Sequence, residues 1–361
     1  MLIIIDMNMK HLSLSVFFLL AVCCVASAQI NTTDVIINEP TGIPRANGGV
    51  IANYDKVIAA DPKNSTAYFD RATAKMRARR YGDAIADFTV AILLKPDNDR
   101  MYFERGVAKR RLNLPAEAIL DYDQAIQINP KYKLAYHDRA DAKLELKEYK
   151  SAIEDFDQSV LLDSNYNNDY LSRARAKVML GLSEDAIADY TKLIAHDPIN
   201  AEAFVYRATE KGKLGNIAGQ MADLDQAIMI NPRYAPAYFE RAQAKEKQGK
   251  YTDAIADMDK AIQVRPGDAK YYNIRGTYKI KTNQFNEAIS DFTRSVELKP
   301  EVAEAYNCLG YAYYKLGINR DNFVDALTYY DLATALGKKD YKPIYEYREM
   351  AATAVTRFGG K

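Results

Sequence analysis

Three ionic stripes recur along the chain, and chemistry is to be sought there first. Arginine stands at Arg71, Arg105, Arg139, Arg173, Arg207, Arg241 and Arg275, and four residues after each comes Lys75, Lys109, Lys143, Lys177, Lys211, Lys245 or Lys279. Sixteen residues after each arginine comes an aspartate: Asp87, Asp121, Asp155, Asp189, Asp223, Asp257 and Asp291. An open row of cations would take an anionic ligand. The same row paired internally would be structural, its lysine stems lying over apolar surface. Buried cations are normally paired, so these arginines and aspartates are expected to be structural ion pairs.

Other chemistry finds little material. Aspartates two apart, such as Asp121 with Asp123, Asp155 with Asp157 and Asp223 with Asp225, could suggest calcium loops, but they recur with the stripes and read as a charge pattern. Beyond residue 28 histidine occurs only as His137 and His196, at unrelated places. No Cys/His cluster has metal spacing, and neither a glycine-rich phosphate loop nor a serine elbow is present. The expectation is a chain that is not an enzyme, with no catalytic residue, metal site or cofactor. With 49 basic against 48 acidic residues, it also lacks the basic excess usual in nucleic-acid binders.

The stripes follow a larger period. Proline recurs at Pro62, Pro96, Pro130, Pro198, Pro232, Pro266 and Pro300, each gap being 34 residues or twice that, with Ser164 on the one missed beat. A fixed period of this size marks a repeat array. With proline as position 32, units begin at 65, 99, 133, 167, 201, 235, 269 and 303. Position 4 is always aromatic (Tyr68 through Tyr306) and position 8 always small (Ala72, Gly106 and so on). Among the first seven units position 20 is alanine except for Gln220 in unit five, and position 24 is large, as in Phe88, Tyr122 and Leu224. Large against small across two segments describes closely packed helices. Proline then ends the second helix, having no amide donor and clashing with the preceding turn.

This pattern resembles the tetratricopeptide repeat (TPR), over roughly three quarters of the chain. The resemblance implies an all-α fold: a right-handed α-solenoid of about eight helical hairpins, with a concave groove lined by first helices. A leading half-repeat (Val50, Tyr54, Val57, Ile58) occupies 48–64, eight TPR units occupy 65–338, and a C-terminal capping helix and tail occupy 339–361. That last helix carries Ile344, Tyr347, Ala351 and Val355 at a spacing that covers the array's end, as solenoids require. Unit eight departs: it has a four-residue insertion near 319–322, and its three ionic positions become Leu309, Tyr313 and Tyr329 together. In unit five, Gly212, Gly215 and Gly219 with Gln220 are expected to weaken packing and helix propensity, giving either a flexible joint or tolerated drift.

In an antiparallel hairpin, positions whose numbers sum to a constant lie level. Position 7 arginines therefore fall beside position 23 aspartates of the same unit. Position 11 lysines come level with position 19, where Asp83, Glu117, Asp185, Asp253 and Glu287 stand. Positions 2, 5, 9, 12 and 13 point the other way, and the resemblance assigns that face to partner peptides. Position 5 carries Phe69, Phe103, His137 and Phe239 among others, and position 13 carries Arg77 and Arg111, then mostly lysine. An apolar stripe edged by cations suits an acidic protein or peptide partner with hydrophobic anchors; the alternative is that the cations only solvate a helix end. The carboxylate clamp of some family members needs lysine at position 5 and asparagine at position 9, and Phe69 with Thr73 disfavours it.

The start reads as a targeting segment. Lys10 precedes an apolar run from Leu12 to Val25, and Ala26, Ser27 and Ala28 offer small residues for cleavage before Gln29. The run is shorter than the ~18–20 residues that span a membrane, so a signal peptide over 1–28 is favoured over an anchor. Lipid anchoring at Cys23 or Cys24 is disfavoured by bulky Val22. Residues 29–47 read as a flexible leader, and Cys308 alone remains after cleavage, so no internal disulfide forms. The reading is an exported scaffold, periplasmic or secreted, that binds a peptide or partner protein in its groove. The alternative is a cell-envelope module for glycan or cell-wall material, or an accessory subunit of an envelope complex.

Overall fold

The computed structural model describes residues 48–337 and 342–359. The signal peptide read over 1–28, with Cys23, Cys24 and Ala28, and the leader read over 29–47 lie outside the described residues. Two compact units divide between Pro266 and Gly267.

The first unit opens with α1 (Gly48–Ala60) and continues as six hairpins. These are α2–α3 (Ser65–Arg77, Tyr81–Leu94), α4–α5 (Asp99–Arg111, Pro115–Ile128), α6–α7 (Lys133–Glu145, Tyr149–Leu162), α8–α9 (Asn167–Met179, Ser183–His196), α10–α11 (Ala201–Lys213, Ile217–Ile230) and α12–α13 (Ala235–Lys247, Tyr251–Val264). The second unit holds α14–α15 (Ala269–Lys281, Phe285–Leu298), α16–α17 (Ala303–Leu316, Arg320–Ala335) and α18 (Lys342–Gly359). No described helix is long and apolar enough to cross a membrane.

Small residues set the helix spacing. Ala72, Ala84 and Ala91 are fully buried around Phe88, and the same positions recur in the later hairpins. In units two, seven and eight position 8 is glycine, and the position-24 ring sits closer than a methyl would allow. A Cβ on Gly106 would stand 2.7 Å from the Tyr122 ring, and one on Gly276 2.8 Å from Phe292.

The tight turn within each hairpin uses one left-handed residue at position 15, for example Arg79 (φ 59°), Asn113 (φ 62°) and Gly215 (φ 77°). Glycine is the residue that adopts this conformation at least cost, so Gly215 suits its turn. At Gly212 a Cβ would stand 2.6 Å from the Gln220 carboxamide, whose Oε1 is buried without a hydrogen-bond partner among the described residues. The missing methyl at position 12 thus makes room for the oversized residue at position 20. Gly219 receives the Asn216 cap, its amide donating to Asn216 Oδ1 at 2.9 Å.

Between units, helices stop at the residue before proline in extended geometry, as at Lys95 (φ −144°, ψ 83°). The beat without proline keeps the side-chain bond of its neighbours: Asn165 N donates to Asp163 Oδ1 at 3.1 Å, as Lys63 N does to Asp61 Oδ1 and Lys131 N to Asn129 Oδ1. In unit eight, Gly317 (φ 44°) ends α16 and Asn319 caps α17. Tyr347 and Phe358 of α18 then meet Tyr311 and Phe323, with ring centroids 4.8 and 5.6 Å apart.

Candidate partner-binding face

The ionic stripes lie between the two helices of each hairpin. Arg71 Nε donates to Asp87 Oδ2 at 2.8 Å and Nη2 to Asp87 Oδ1 at 2.7 Å. The same fork joins Arg105 to Asp121, Arg139 to Asp155, Arg173 to Asp189, Arg207 to Asp223, Arg241 to Asp257 and Arg275 to Asp291. The seven aspartates are buried. Each guanidinium also lies over the aromatic ring three residues before it, as Arg71 does over Tyr68 at 5.4 Å and Arg173 over Tyr170 at 5.5 Å.

The third guanidinium nitrogen reaches backward to the preceding repeat. Arg71 Nη1 meets Asp55, Arg139 meets Asp123, Arg173 meets Asp157 and Arg241 meets Asp225, all at 2.6–2.7 Å. Arg105 and Arg207 use Thr89 and Thr191 instead, both at 3.1 Å. The Asp-x-Asp pairs are thereby accounted for: the first carboxylate serves its own unit's arginine and the second serves the next unit's. Among the described residues no His, Cys, Asp and Glu cluster is fit to hold a metal ion.

The lysines depart from expectation. Lys75 and Lys109 contact the position-23 carboxylates of Asp87 and Asp121 at 2.6 and 2.9 Å, and so do their counterparts through Lys279. At position 19 they meet at most a backbone carbonyl, as Lys75 does at Asp83 O, 3.5 Å away. The physical reason is burial. A carboxylate held away from water draws every cation its neighbours can extend, whereas the position-19 acids are exposed and solvated.

Position 5 is corrected as well. Phe103 and Phe239 are buried, at 8% and 6% exposure, and Phe103 packs on Tyr122 and Tyr132 with centroids 5.9 and 5.0 Å away. Phe69 is half-buried against Phe88, with Arg100 lying over its ring at 5.3 Å. Phe69 and Phe103 help close the seam to the next hairpin, and Phe103 and Phe239 are core residues with too little exposed surface to anchor a partner. Arg77 and Arg111 at position 13 are exposed, as are Lys213, Lys247, Lys281 and Lys315.

His137 is also inward-facing. Its Nδ1 lies 2.6 Å from Asp169 Oδ1, and Ser159 Oγ donates to Asp169 Oδ2 at 2.6 Å, while Asp169 is fully buried. Burial disfavours the imidazolium, but the bond to Asp169 and the charges of Asp141, Asp169 and Asp138 outweigh it and hold the pKa above its ordinary value. Beside it, Arg110 contacts Asp138, Asp141 and Glu145 at 2.8, 3.3 and 3.5 Å. Sequence reasoning passed over this cluster, although three pattern breaks signalled it: histidine at position 5, serine at position 27 and aspartate at position 3 of the following unit.

One cavity of about 440 Å³ opens on the first-helix face of the second unit. It lies beside Lys281 and Lys315, and Tyr311 and Tyr347 line it.

Family profiles described as tetratricopeptide repeat match residues 51–98, 69–133, 134–166 and 235–268, and one described as TPR repeat matches 278–317. The chain belongs to the tetratricopeptide repeat family. Among curated proteins none matches it. Solved structures share the fold at low identity. The C-terminal part of a TPR repeat-containing protein from Cytophaga hutchinsonii aligns at 19% identity over 68% of this chain and 98% of its own, with a TM-score of 0.56. A tetratricopeptide repeat protein from Parabacteroides merdae aligns at 17% over 70% and 98%, with a TM-score of 0.53. PilW, a type IV pilus biogenesis factor, aligns at 19% over 57% and 96%, with a TM-score of 0.50.

Proposed function

We propose that the chain is an exported scaffold, its signal segment over 1–28 removed, that binds a peptide or partner protein on its first-helix face. The observation that carries this reading is the division of the cations. Arginines at position 7 and lysines at position 11 are consumed by buried aspartates, whereas position 13 presents exposed cations at Arg77, Arg111, Lys213 and Lys247 in the first compact unit, interrupted by Glu145 and Met179, and at Lys281 and Lys315 in the second. Exposed cations in neighbouring repeats, Arg77 with Arg111, Lys213 with Lys247 and Lys281 with Lys315, favour an acidic partner, because charge on a rim steers encounter and selects sign. The cavity's tyrosines have lysines beside them, which favours an anionic peptide over glycan, for which neighbouring carboxylates would be expected. No cofactor takes part.

The test is affinity capture from an envelope fraction by the full-length protein, compared with an Arg77→Glu, Arg111→Glu variant. The expected result is a retained set of proteins that the variant loses, with unchanged helical circular dichroism. Equal capture by both would contradict the reading. Amino-terminal sequencing of the protein recovered from its own host should begin at Gln29; an intact Met-initiated chain would contradict export by cleavage.

A further inference from the structure

One buried carboxylate is held differently from all the rest. The rung aspartates each hold an arginine and a lysine, and Glu210, also buried, holds Lys213 at 2.6 Å. Those cations stay charged through neutrality. Asp169 is fully buried, yet among the described residues its only cationic partner is a histidine. Its Oδ1 lies 2.6 Å from His137 Nδ1, and its Oδ2 accepts from Ser159 Oγ at 2.6 Å.

These three residues share one seam, between units three and four. At the preceding seam the same places hold Phe103, Ala125 and Ala135, all buried and apolar. Position 3, where Asp169 stands, is alanine, Met101 or Tyr271 in the other units. An imidazole, a hydroxyl and a carboxylate thus replace a packing contact.

Other charges near the ring do not take its place. On its own helix α6, Asp141 lies 3.8 Å from Nε2, and Asp138 is the next residue. From α4, Arg110 is engaged by Asp138, Asp141 and Glu145. From α7 come Phe156, its centroid 5.8 Å away, and Ser159, both uncharged. Tyr166, just before α8, meets the ring edge-on at 5.2 Å, with Lys133 over it at 3.7 Å and paired to Asp163 at 3.0 Å.

We propose that the seam between units three and four is a proton-controlled latch, closed while His137 is an imidazolium and loosened when the ring is neutral. A neutral ring can still donate from Nδ1, but Asp169 then has only uncharged donors, and a buried carboxylate without a cation is costly. Burial opposes charge on the ring, while the bond to Asp169 and the charges of Asp141 and Asp138 outweigh it and keep the folded pKa above the ordinary one. The latch is therefore complete below about pH 6.5 and is lost as pH rises through the folded value. Because α6 and α8 are both first helices, it ties the shape of the proposed binding face in units three and four to pH.

Amide hydrogen exchange of the full-length protein, read by mass spectrometry and corrected for intrinsic rates, tests this between about pH 5.5 and about pH 8. Protection over 159–172 should fall with rising pH on the order of tenfold more than over 91–104 and 227–240, the matching stretches of two other seams. His137→Gln should show the high-pH behaviour at every pH. The triple variant His137→Phe, Ser159→Ala, Asp169→Ala, which copies the preceding seam, should keep its protection throughout. His196 contacts Asn167 and Tyr170 of the same stretch and is untouched in that variant. A local pH response surviving in the triple variant would assign it to His196 and overturn the latch. So would a wild-type stretch whose protection changes no more than that of the other two seams.

Discussion

Units one to seven join their two helices with ions, and unit eight joins them with rings. In the first seven, each buried aspartate receives an arginine fork and a lysine, and in units one to six the arginine also extends to the preceding repeat. In the eighth, Leu309 is 1% exposed and packs with Ala288 and Phe292 of α15, while Tyr313 and Tyr329 stack with centroids 5.4 Å apart and planes within 18°. Burial pushes both phenols above their ordinary pKa, so they stay neutral. The same gap thus accepts a balanced charge cluster or an apolar and aromatic one. Ions are not required to make the hairpin; once present, they must be complete.

That contrast predicts asymmetric damage. Arg173→Ala should cost about 3–5 kcal/mol, because it leaves Asp189 buried with only Lys177. Urea melts showing no loss would mean the carboxylate is better hydrated than its burial implies.

The two regions share one feature, a position-24 ring seated on glycine. A Cβ at Gly106 would meet the Tyr122 ring at 2.7 Å, and one at Gly310 would meet Tyr330 at 3.0 Å and the Ala326 carbonyl oxygen at 3.1 Å. Overpacking costs about 1–3 kcal/mol, and the gain in helix propensity returns up to about 1 kcal/mol. Gly106→Ala and Gly310→Ala should therefore each lose about 1–2 kcal/mol. A loss at only one of them would separate the two kinds of joint.

A smaller effect belongs to His137, the titratable side chain most unlike the repeating rungs. Its folded pKa lies above the ordinary value, held there against burial by Asp169, Asp141 and Asp138. A raised pKa contributes stability that is fully present below the unfolded value of about 6.5 and is lost as pH rises through the folded one. The melting temperature should therefore fall as pH is taken upward through neutrality, and His137→Gln should flatten that dependence. A wild-type profile already flat over this range would contradict it.

Much of the fold was legible because the repeat states it many times. Fixed proline spacing and small residues at positions 8 and 20 locate the hairpins, and level numbering brings Arg71 beside Asp87. Other features needed three dimensions. Whether position 5 faces a groove or a seam depends on how the next hairpin is seated, so Phe103 and Phe239 were misread as anchors. The lysines were assigned to acids on their own level, but a long flexible stem goes to the most desolvated carboxylate. Asp123, Asp157 and Asp225 lie outside the level rule because their arginines belong to the next repeat. Unit five shows the reverse case: Gly212 and Gln220 look like two defects in sequence and are one exchange of volume in space.

The central claim is that the ionic rungs are internal joinery, replaceable as a set, and not a binding stripe. The direct measurement transplants the unit-eight solution into unit four, with Arg173→Leu, Lys177→Tyr and Asp189→Tyr together, and compares urea melts and partner capture with Arg173→Ala alone. The account predicts a triple variant within about 1–2 kcal/mol of the parent, in line with the mild cost of exchanging a whole buried ion cluster for apolar groups, with capture intact. A triple variant as unstable as the single one, or one that folds and loses its partner, would contradict it.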